Sequence, residues 1–118
     1  KIERNFSKAD HMLAVGYSMG AQMAIMLAAE NPRIDHLITM VPPHAGNVMD
    51  VSPVKFAPKV NAKWLLFLAG KDEYSTPKEN EEMASAIKVD VTRIDYDTGH
   101  ILPKDYISEV EKWLNSIK

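Results

Sequence analysis

The chain has 118 residues and a net charge of −2, with 46% apolar and 25% charged residues. This length fits one domain with a modest core, and the small charge argues against nucleic acid and anionic membranes as main partners. The chain contains no cysteine, which excludes disulfides and thiol chemistry. No apolar run reaches the roughly 18 residues that span a bilayer, so we expect no membrane association.

The first residues predict the end of a helix, because Ile2 and Phe6 are one helical turn apart. A short apolar run follows at 12–15 and predicts a buried strand. The chain starts at Lys1 without a methionine, so we expect a fragment, a processed chain or a minimal version of a larger protein.

The sequence Gly16-Tyr17-Ser18-Met19-Gly20 has the pattern G-x-S-x-G, between that strand and a helix predicted over 21–30. A serine on such a turn projects its hydroxyl above the sheet, at the positive end of the new helix. The flanking glycines are expected to allow the tight turn and the close packing of helix on strand. Ser18 is therefore predicted to be a nucleophile, and the backbone N–H of Met19 one oxyanion donor. The alternative for Ser18 is a helix N-cap.

Two later strands are each followed by a residue that such a nucleophile needs. A strand is predicted over 63–69, and Asp72 follows it; another is predicted over 89–94, and His100 follows that one. Carboxyl ends of parallel strands lie along one edge of the sheet, so Asp72 and His100 are expected near Ser18. A serine needs a histidine base, and the histidine needs a carboxylate.

Asp95, Asp97 and Glu73 compete with Asp72 for the role of the acid. We rank Asp72 first, because Asp95 and Asp97 follow the same strand as the histidine, where the Nδ1 atom is awkward to reach. The alternatives for Asp72 and His100 are a turn residue and a surface loop histidine. Three further side chains are candidates for lining the substrate site: Tyr17, His44 and Tyr74.

The remaining chain predicts a strand over 36–41, a long proline-rich connection over 42–62 and two helices. The connection offers an apolar wall at Val48, Met49 and Val51. The first helix begins with Thr76 as N-cap, Pro77 at the first helical position and Glu79 completing a capping box, and it ends near residue 87. The last helix begins near Pro103 and is expected to bury an apolar stripe formed by Tyr106, Ile107, Val110, Trp113, Leu114 and Ile117.

Alternation of strands and helices predicts an α/β fold with a parallel four-stranded sheet and flanking helices. With strands in sequence order, right-handed crossovers place every intervening connection on one face and leave only the last helix for the other. The first strand then has an open edge with apolar side chains exposed beside it. We expect a homodimer, pairing with a missing N-terminal half, or a chain of marginal stability.

Three turns resemble the C-terminal half of an α/β-hydrolase, in the order Ser, Asp, His. They are the Gly16–Gly20 turn, called the elbow below, the Gly70-Lys71-Asp72 turn and the Thr98-Gly99-His100 turn. The stretch from Ser52 through Asp72, continuing to Pro77, resembles the small, lidless esterase, dienelactone-hydrolase-like and peptidase-like branches. The resemblance implies that residues 1–118 form one α/β-hydrolase-like domain that lacks the N-terminal strands of the full fold. It also implies that the second oxyanion donor belongs to the lacking part.

Such a protein would be a serine hydrolase, with a Ser18–His100–Asp72 triad, a small-molecule ester or related acyl substrate, and a cytoplasmic location. No metal-ligand spacing is present, so we expect neither a metal nor another cofactor. The alternatives are an acyltransferase, in which the acyl group passes to an acceptor other than water, and a non-catalytic α/β module that keeps the elbow without a working site.

Overall fold

The computed structural model describes residues 12–44 and 52–117. The predicted N-terminal helix and the predicted wall at Val48, Met49 and Val51 lie outside the described residues. None of the helices in the described ranges is long and apolar enough to cross a membrane. The elements in chain order are β1 (Leu13–Tyr17), α1 (Met19–Glu30), β2 (His36–Met40), α2 (Pro53–Phe56), a 3-10 turn (Ala57–Lys59), β3 (Lys63–Ala69), α3 (Pro77–Ala86), β4 (Val91–Tyr96) and α4 (Tyr106–Ser116).

The four strands form one parallel sheet in the order β1-β2-β3-β4, which confirms the predicted fold class and meets the condition of sequence order on which the expected distribution of helices depends. In the register of the sheet, Tyr17 lies beside Met40, and Met40 lies beside Phe67. The carboxyl ends of β1, β3 and β4 therefore share one edge of the sheet. That edge carries Ser18, Asp72 and His100.

The two faces of the sheet are covered unequally, as the strand order predicts. Alternate strand side chains, among them Leu37 and Leu66, join α1, α2, the 3-10 turn and α3 in one core cluster. The other alternation, which includes Ile38 and Phe67, packs against α4. Three connections thus cover one face, and the last helix alone covers the other. The helix side chains that pack on this second cluster are Tyr106, Val110, Trp113, Leu114 and Ile117.

The centre of the sheet is buried, and the polar side chains of Thr39 and Trp64 within it are paired. All side chains of β2 are buried, and so are those of β3 from Trp64 to Ala69. The indole Nε1–H of Trp64 donates to Thr39 Oγ1 at 2.8 Å, with both residues fully buried. This hydrogen bond ties β2 to β3, and the apolar side chains around it each stabilise the fold by about 1.5–3 kcal/mol.

The start of α3 matches its sequence signature. Thr76 Oγ1 accepts the Glu79 N–H at 3.2 Å, and Glu79 Oε1 accepts the Thr76 N–H at 2.9 Å, so the predicted capping box is confirmed. One turn later, the buried Asn80 donates to the Ala69 carbonyl at 3.3 Å and accepts from the Ser75 hydroxyl at 2.7 Å. Helix α3 is thereby fastened to both ends of the turn that carries Asp72.

Four sequence expectations about elements were incomplete or wrong. The connection over 42–62 contains α2 and the 3-10 turn, which form because Phe56 and Ala57 bury their side chains in the core. Strand β4 begins at Val91, two residues later than expected, and α4 begins at Tyr106. Ile107 is 52% exposed rather than buried, because it lies at the margin of the apolar stripe of α4.

Strand β1 is an edge of the sheet, and its apolar side chains are the least covered of the four strands. Leu13 is 40% exposed and Val15 is 54% exposed, whereas Ala14 between them is buried. A groove of about 800 Å³ runs along β1 and α1, lined among others by Val15, Met23 and Leu27. The expected exposure of apolar side chains along the first strand is therefore present.

Candidate active site

The turn between β1 and α1 holds Ser18 in a conformation that few side chains adopt. Ser18 has φ 58° and ψ −121°, and its backbone N–H donates to the Met40 carbonyl at 2.8 Å. A Cβ atom on Gly16 would lie 2.1 Å from the Gly20 carbonyl oxygen, so glycine is required at that position. The expectation for Gly20 was wrong, because a Cβ there meets nothing within 4 Å. The turn therefore depends on the first glycine of the motif.

A second residue with positive φ lies beside this turn. Val41 follows β2 directly, has φ 44°, and is buried. This conformation is strained for a β-branched residue, and it is held by the Val41 N–H, which donates to the Phe67 carbonyl at 2.9 Å. Among the described residues, Ser18 and Val41 are the non-glycine positions with positive φ, and both lie at the edge that carries the candidate site.

Ser18, His100 and Asp72 form a continuous hydrogen-bonded chain. Ser18 Oγ lies 2.6 Å from His100 Nε2, and His100 Nδ1 lies 3.0 Å from Asp72 Oδ1. Because a carboxylate only accepts hydrogen bonds, Nδ1 carries the imidazole hydrogen and donates it to Asp72. Nε2 is then the acceptor that faces the serine hydroxyl. This arrangement is the one that proton transfer from a serine requires.

The environments of the competing acids differ. The Asp72 side chain is only 2% exposed, and its Oδ1 atom also accepts the Tyr74 N–H at 2.9 Å. Asp95 is bound to Arg93, with an Nε–Oδ1 distance of 2.7 Å, and Asp97 lies 3.7 Å from the Lys71 ammonium. The structure therefore brings Asp72, and neither of the two later aspartates, to the histidine.

The third competitor, Glu73, binds the backbone of His100 rather than its imidazole ring. Glu73 Oε1 accepts the His100 N–H at 3.0 Å, and this hydrogen bond lowers the pKa of the Glu73 carboxyl. A Cβ atom on Gly99 would lie 3.0 Å from the same oxygen, so the close approach favours glycine there. The Lys71 N–H also donates to the Thr98 carbonyl at 2.8 Å. The turns after β3 and β4 are thus joined.

Tyr17 lies on the other side of the histidine. Its hydroxyl donates to the His100 carbonyl at 3.0 Å and accepts the Leu102 N–H at 2.9 Å. Its ring packs against Tyr106, with centroids 5.9 Å apart. The sequence analysis considered Tyr17 and Glu73 in other roles and missed these contacts. No local pattern could have found the Tyr17 contacts, because they join residues more than 80 positions apart in the chain.

The other predicted site residues lie around this centre. Met19 is the first residue of α1, beside Ser18, and its side chain is 68% exposed. Tyr74 is 63% exposed, and its ring lies edge-on to the His100 ring with centroids 4.7 Å apart. His44 Nε2 lies 3.8 Å from Glu79 Oε2, and its carbonyl accepts the Ser52 hydroxyl. The roles of these residues in oxyanion or substrate binding stay predictions.

The dienelactone hydrolase family profile matches residues 2–98 of the chain. A search of curated protein sequences gave no significant match. Solved structures with the same fold include a Paleococcus ferrophilus monoacylglycerol lipase (TM-score 0.78, 15% identity, 99% of this chain and 73% of that chain). They also include a Pyrococcus furiosus esterase (TM-score 0.77, 17% identity, 92% and 55%) and an esterase domain from a Rhodothermus marinus protein (TM-score 0.69, 15% identity, 88% and 57%).

These identities establish similarity of fold, and the chain spans little more than half the length of the first structures that it matches. The family assignment comes from the profile, which covers most of the chain and includes the elbow and the Asp72 turn. The chain belongs to the dienelactone hydrolase family, within the α/β-hydrolase superfamily.

Proposed function

We propose that the chain carries the catalytic residues of a serine esterase. One observation carries the proposal: the unbroken sequence of hydrogen bonds from Ser18 through His100 to Asp72, with distances of 2.6 and 3.0 Å. The membership of the chain in a hydrolase family supports the same reaction class. The strained backbone at Ser18 is also typical of functional sites.

In the proposed reaction, Ser18 Oγ attacks the carbonyl carbon of an ester while His100 Nε2 takes the hydroxyl proton. Asp72 holds the imidazole in the required tautomer and stabilises the imidazolium. When the tetrahedral intermediate collapses, the ester C–O bond breaks and His100 gives its proton to the leaving alcohol. Water, activated by the same imidazole, then hydrolyses the acyl-enzyme and releases the acid.

The negative charge on the attacked oxygen needs hydrogen-bond donors. The Met19 N–H lies at the first position of α1, where the helix leaves its N–H groups without intrahelical partners. We assign it as one oxyanion donor and assign the second to the N-terminal half of the fold. Loss of one such donor lowers the rate by about 10²–10³-fold, so the chain by itself is expected to be a slow enzyme.

Three exposed side chains beside the triad favour an uncharged, apolar acyl group. Met19 adjoins Ser18, Ile101 adjoins His100, and Tyr74 contacts the His100 ring; all three are more than 60% exposed. At the same turn, the Glu73 carboxylate accepts the His100 N–H and would repel an anionic substrate. A butyryl ester is therefore expected to be cleaved faster than a hemisuccinyl ester of the same alcohol.

Hydrolysis of p-nitrophenyl butyrate and p-nitrophenyl hemisuccinate tests the proposal. The wild-type chain should release p-nitrophenol from the butyrate above the buffer rate, and Ser18→Ala should remove that excess. Ser108→Ala, at an exposed position of α4, is the matched control and should keep wild-type activity. Equal activity in the wild-type chain and in folded Ser18→Ala would contradict the proposal.

We also propose that the open edge of β1 pairs with the N-terminal half that the sequence analysis expects. The apolar groove along β1 and the exposed Leu13 and Val15 favour a covering partner of this kind. Without that half, the uncovered edge is expected to make the chain self-associate in sedimentation velocity or bind a hydrophobic dye, whereas a compact monomer that binds no dye would contradict the proposal. A stable symmetric dimer with no dye binding would favour the alternative, in which a second copy covers the edge. Separately, we propose that the protein is located in the cytoplasm.

A further inference from the structure

The segment that carries His100 is held through its backbone from two directions. On one side, Glu73 Oε1 accepts the His100 N–H at 3.0 Å. On the other side, the Tyr17 hydroxyl donates to the His100 carbonyl at 3.0 Å and accepts the Leu102 N–H at 2.9 Å. Two of these hydrogen bonds fix the peptide groups on either side of His100, and the third fixes the N–H of Leu102. They leave the imidazole free to contact Ser18 and Asp72.

The places of Tyr17 and Glu73 in the chain make this arrangement specific. Tyr17 immediately precedes the nucleophile Ser18, and Glu73 immediately follows the acid Asp72. Each partner of the histidine thus has a neighbour that holds the histidine backbone. Any shift of the His100 segment relative to Ser18 or Asp72 must break one of these hydrogen bonds.

We propose that Tyr17 and Glu73 are positioning residues that set the distance between His100 Nε2 and Ser18 Oγ by clasping the backbone of residues 100–102. The proposal rests on the esterase function proposed above. Among the described residues, no other side chain forms a hydrogen bond with the His100 backbone. Misplacement of a catalytic group by about 1 Å can lower a rate by 10²-fold, so small losses of position matter.

The packing around Tyr17 provides a matched control for its hydroxyl. The Tyr106 ring lies 5.9 Å from the Tyr17 ring and contacts Phe67 in the same core cluster. Its hydroxyl makes no hydrogen bond to the residues of 12–44 and 52–117. Tyr17→Phe and Tyr106→Phe therefore each remove one hydroxyl from the same cluster, but only the first removes a contact to the histidine segment.

Glu73 offers a conservative rescue. Glu73→Gln keeps a carbonyl oxygen that can accept the His100 N–H, whereas Glu73→Leu removes the acceptor. Glu73 is exposed, so neither change disturbs the core. Glu82→Leu, at an exposed position of α3, controls for the loss of an acidic residue from the surface.

The test combines kinetics with amide hydrogen exchange of Leu102, whose N–H is bound by Tyr17. Tyr17→Phe should lower kcat for p-nitrophenyl butyrate roughly fivefold to tenfold, with little change in KM, and should speed Leu102 exchange by a similar factor. Tyr106→Phe should change neither. Glu73→Leu should lower kcat by about the same factor, and Glu73→Gln should restore it to within about twofold of the wild type.

Unchanged kcat and unchanged Leu102 exchange in Tyr17→Phe would overturn the clasp, and so would equal losses of kcat in Tyr17→Phe and Tyr106→Phe. A wild-type chain without esterase activity would contradict the proposed function instead. In that case the exchange measurement alone decides the clasp: faster Leu102 exchange in Tyr17→Phe supports it, and unchanged exchange rejects it.

Discussion

The two edge strands of the sheet differ in the side chains that they carry. Strand β4 carries charge: Arg93 bonds Asp95 through two nitrogens, at 2.7 and 2.9 Å, and bonds Glu81 of α3 at 2.6 Å. Strand β1 instead exposes Leu13 and Val15 beside an apolar groove. Charged side chains are a common protection of a terminal edge, whereas an apolar edge favours pairing. We infer that the sheet ends at β4 and is continued at β1.

The candidate site contains residues that follow both of these edge strands. The candidate acid and base follow β3 and β4, where Asp72 is 2% exposed and the His100 backbone is bound on both sides. The candidate nucleophile follows β1, the open edge strand. The described residues thus hold Asp72 and His100 in place, whereas β1, which leads to Ser18, borders the uncovered groove. We therefore expect substitutions near β3 to lower activity or stability, and substitutions on β1 to affect mainly association.

The largest expected effect is the loss of activity on substitution of Asp72, the candidate acid after β3. Asp72→Asn should lower esterase activity by about 10³–10⁴-fold, because the imidazole loses the carboxylate that fixes its tautomer. Asp97→Asn is the matched control, since Asp97 is exposed and lies near Lys71, and it should keep activity within about twofold. Steady-state rates on p-nitrophenyl butyrate make the comparison. Similar losses in the two variants would show that the acid is misassigned.

A matched pair of leucine truncations compares the two sides in stability. Leu66→Ala in the buried β3 should lower the free energy of unfolding by about 2–5 kcal/mol. Leu13→Ala on β1 removes the same atoms from a side chain that is 40% exposed, and it should cost about 1 kcal/mol or less. Urea denaturation followed by tryptophan fluorescence measures both. Equal costs would mean that β1 is covered in solution.

A lysine on each edge strand sharpens the comparison of the edges. Val15→Lys places a charge in the apolar groove of β1 and should weaken self-association at least tenfold, because the ammonium must lose water when the edge pairs. Thr92→Lys adds the same charge to an exposed position of β4 and should leave association unchanged. Sedimentation velocity over a concentration series distinguishes them. Weaker association in Thr92→Lys alone would place the interface at β4.

The smallest expected effect is on acid stability. The pKa of Glu73 is lowered by the His100 N–H, that of Glu79 by the Thr76 N–H, and that of Glu81 by Arg93. Since each folded pKa lies below the unfolded value of 4.5, their stabilisation is present above pH 4.5 and is lost as the pH falls through the lower folded values. Urea midpoints should therefore fall below pH 4.5. In Glu79→Gln that fall should be shallower.

Local sequence patterns predicted the elements well where the deciding contacts are local. The capping box at Thr76 and Glu79 joins residues three positions apart, and the strand-to-helix turn at Ser18 depends on a glycine two positions away. The parallel sheet also followed from the alternation of elements. The sequence likewise predicted that the Ser18, Asp72 and His100 side chains would be neighbours, although their catalytic roles stay predictions.

The missed features depend on tertiary contacts. Helix α2 forms in a proline-rich connection because Phe56 finds a place in the core, and nothing within the segment indicates that place. The exposure of Ile107 depends on where α4 crosses the sheet. The bonds from Tyr17 and Glu73 to the His100 backbone join distant positions, so they become visible only when the turns after β1, β3 and β4 are brought together.

Covalent labelling of Ser18 by a fluorophosphonate, located by peptide mass spectrometry, tests the central claim most directly. Label should appear on Ser18 in the wild-type chain, should persist in Ser108→Ala, and should fall by several orders of magnitude in His100→Ala, because the serine then lacks its base. Absence of label on the folded wild-type chain, or equal labelling in His100→Ala, would contradict the claim that these residues form a working nucleophile and base.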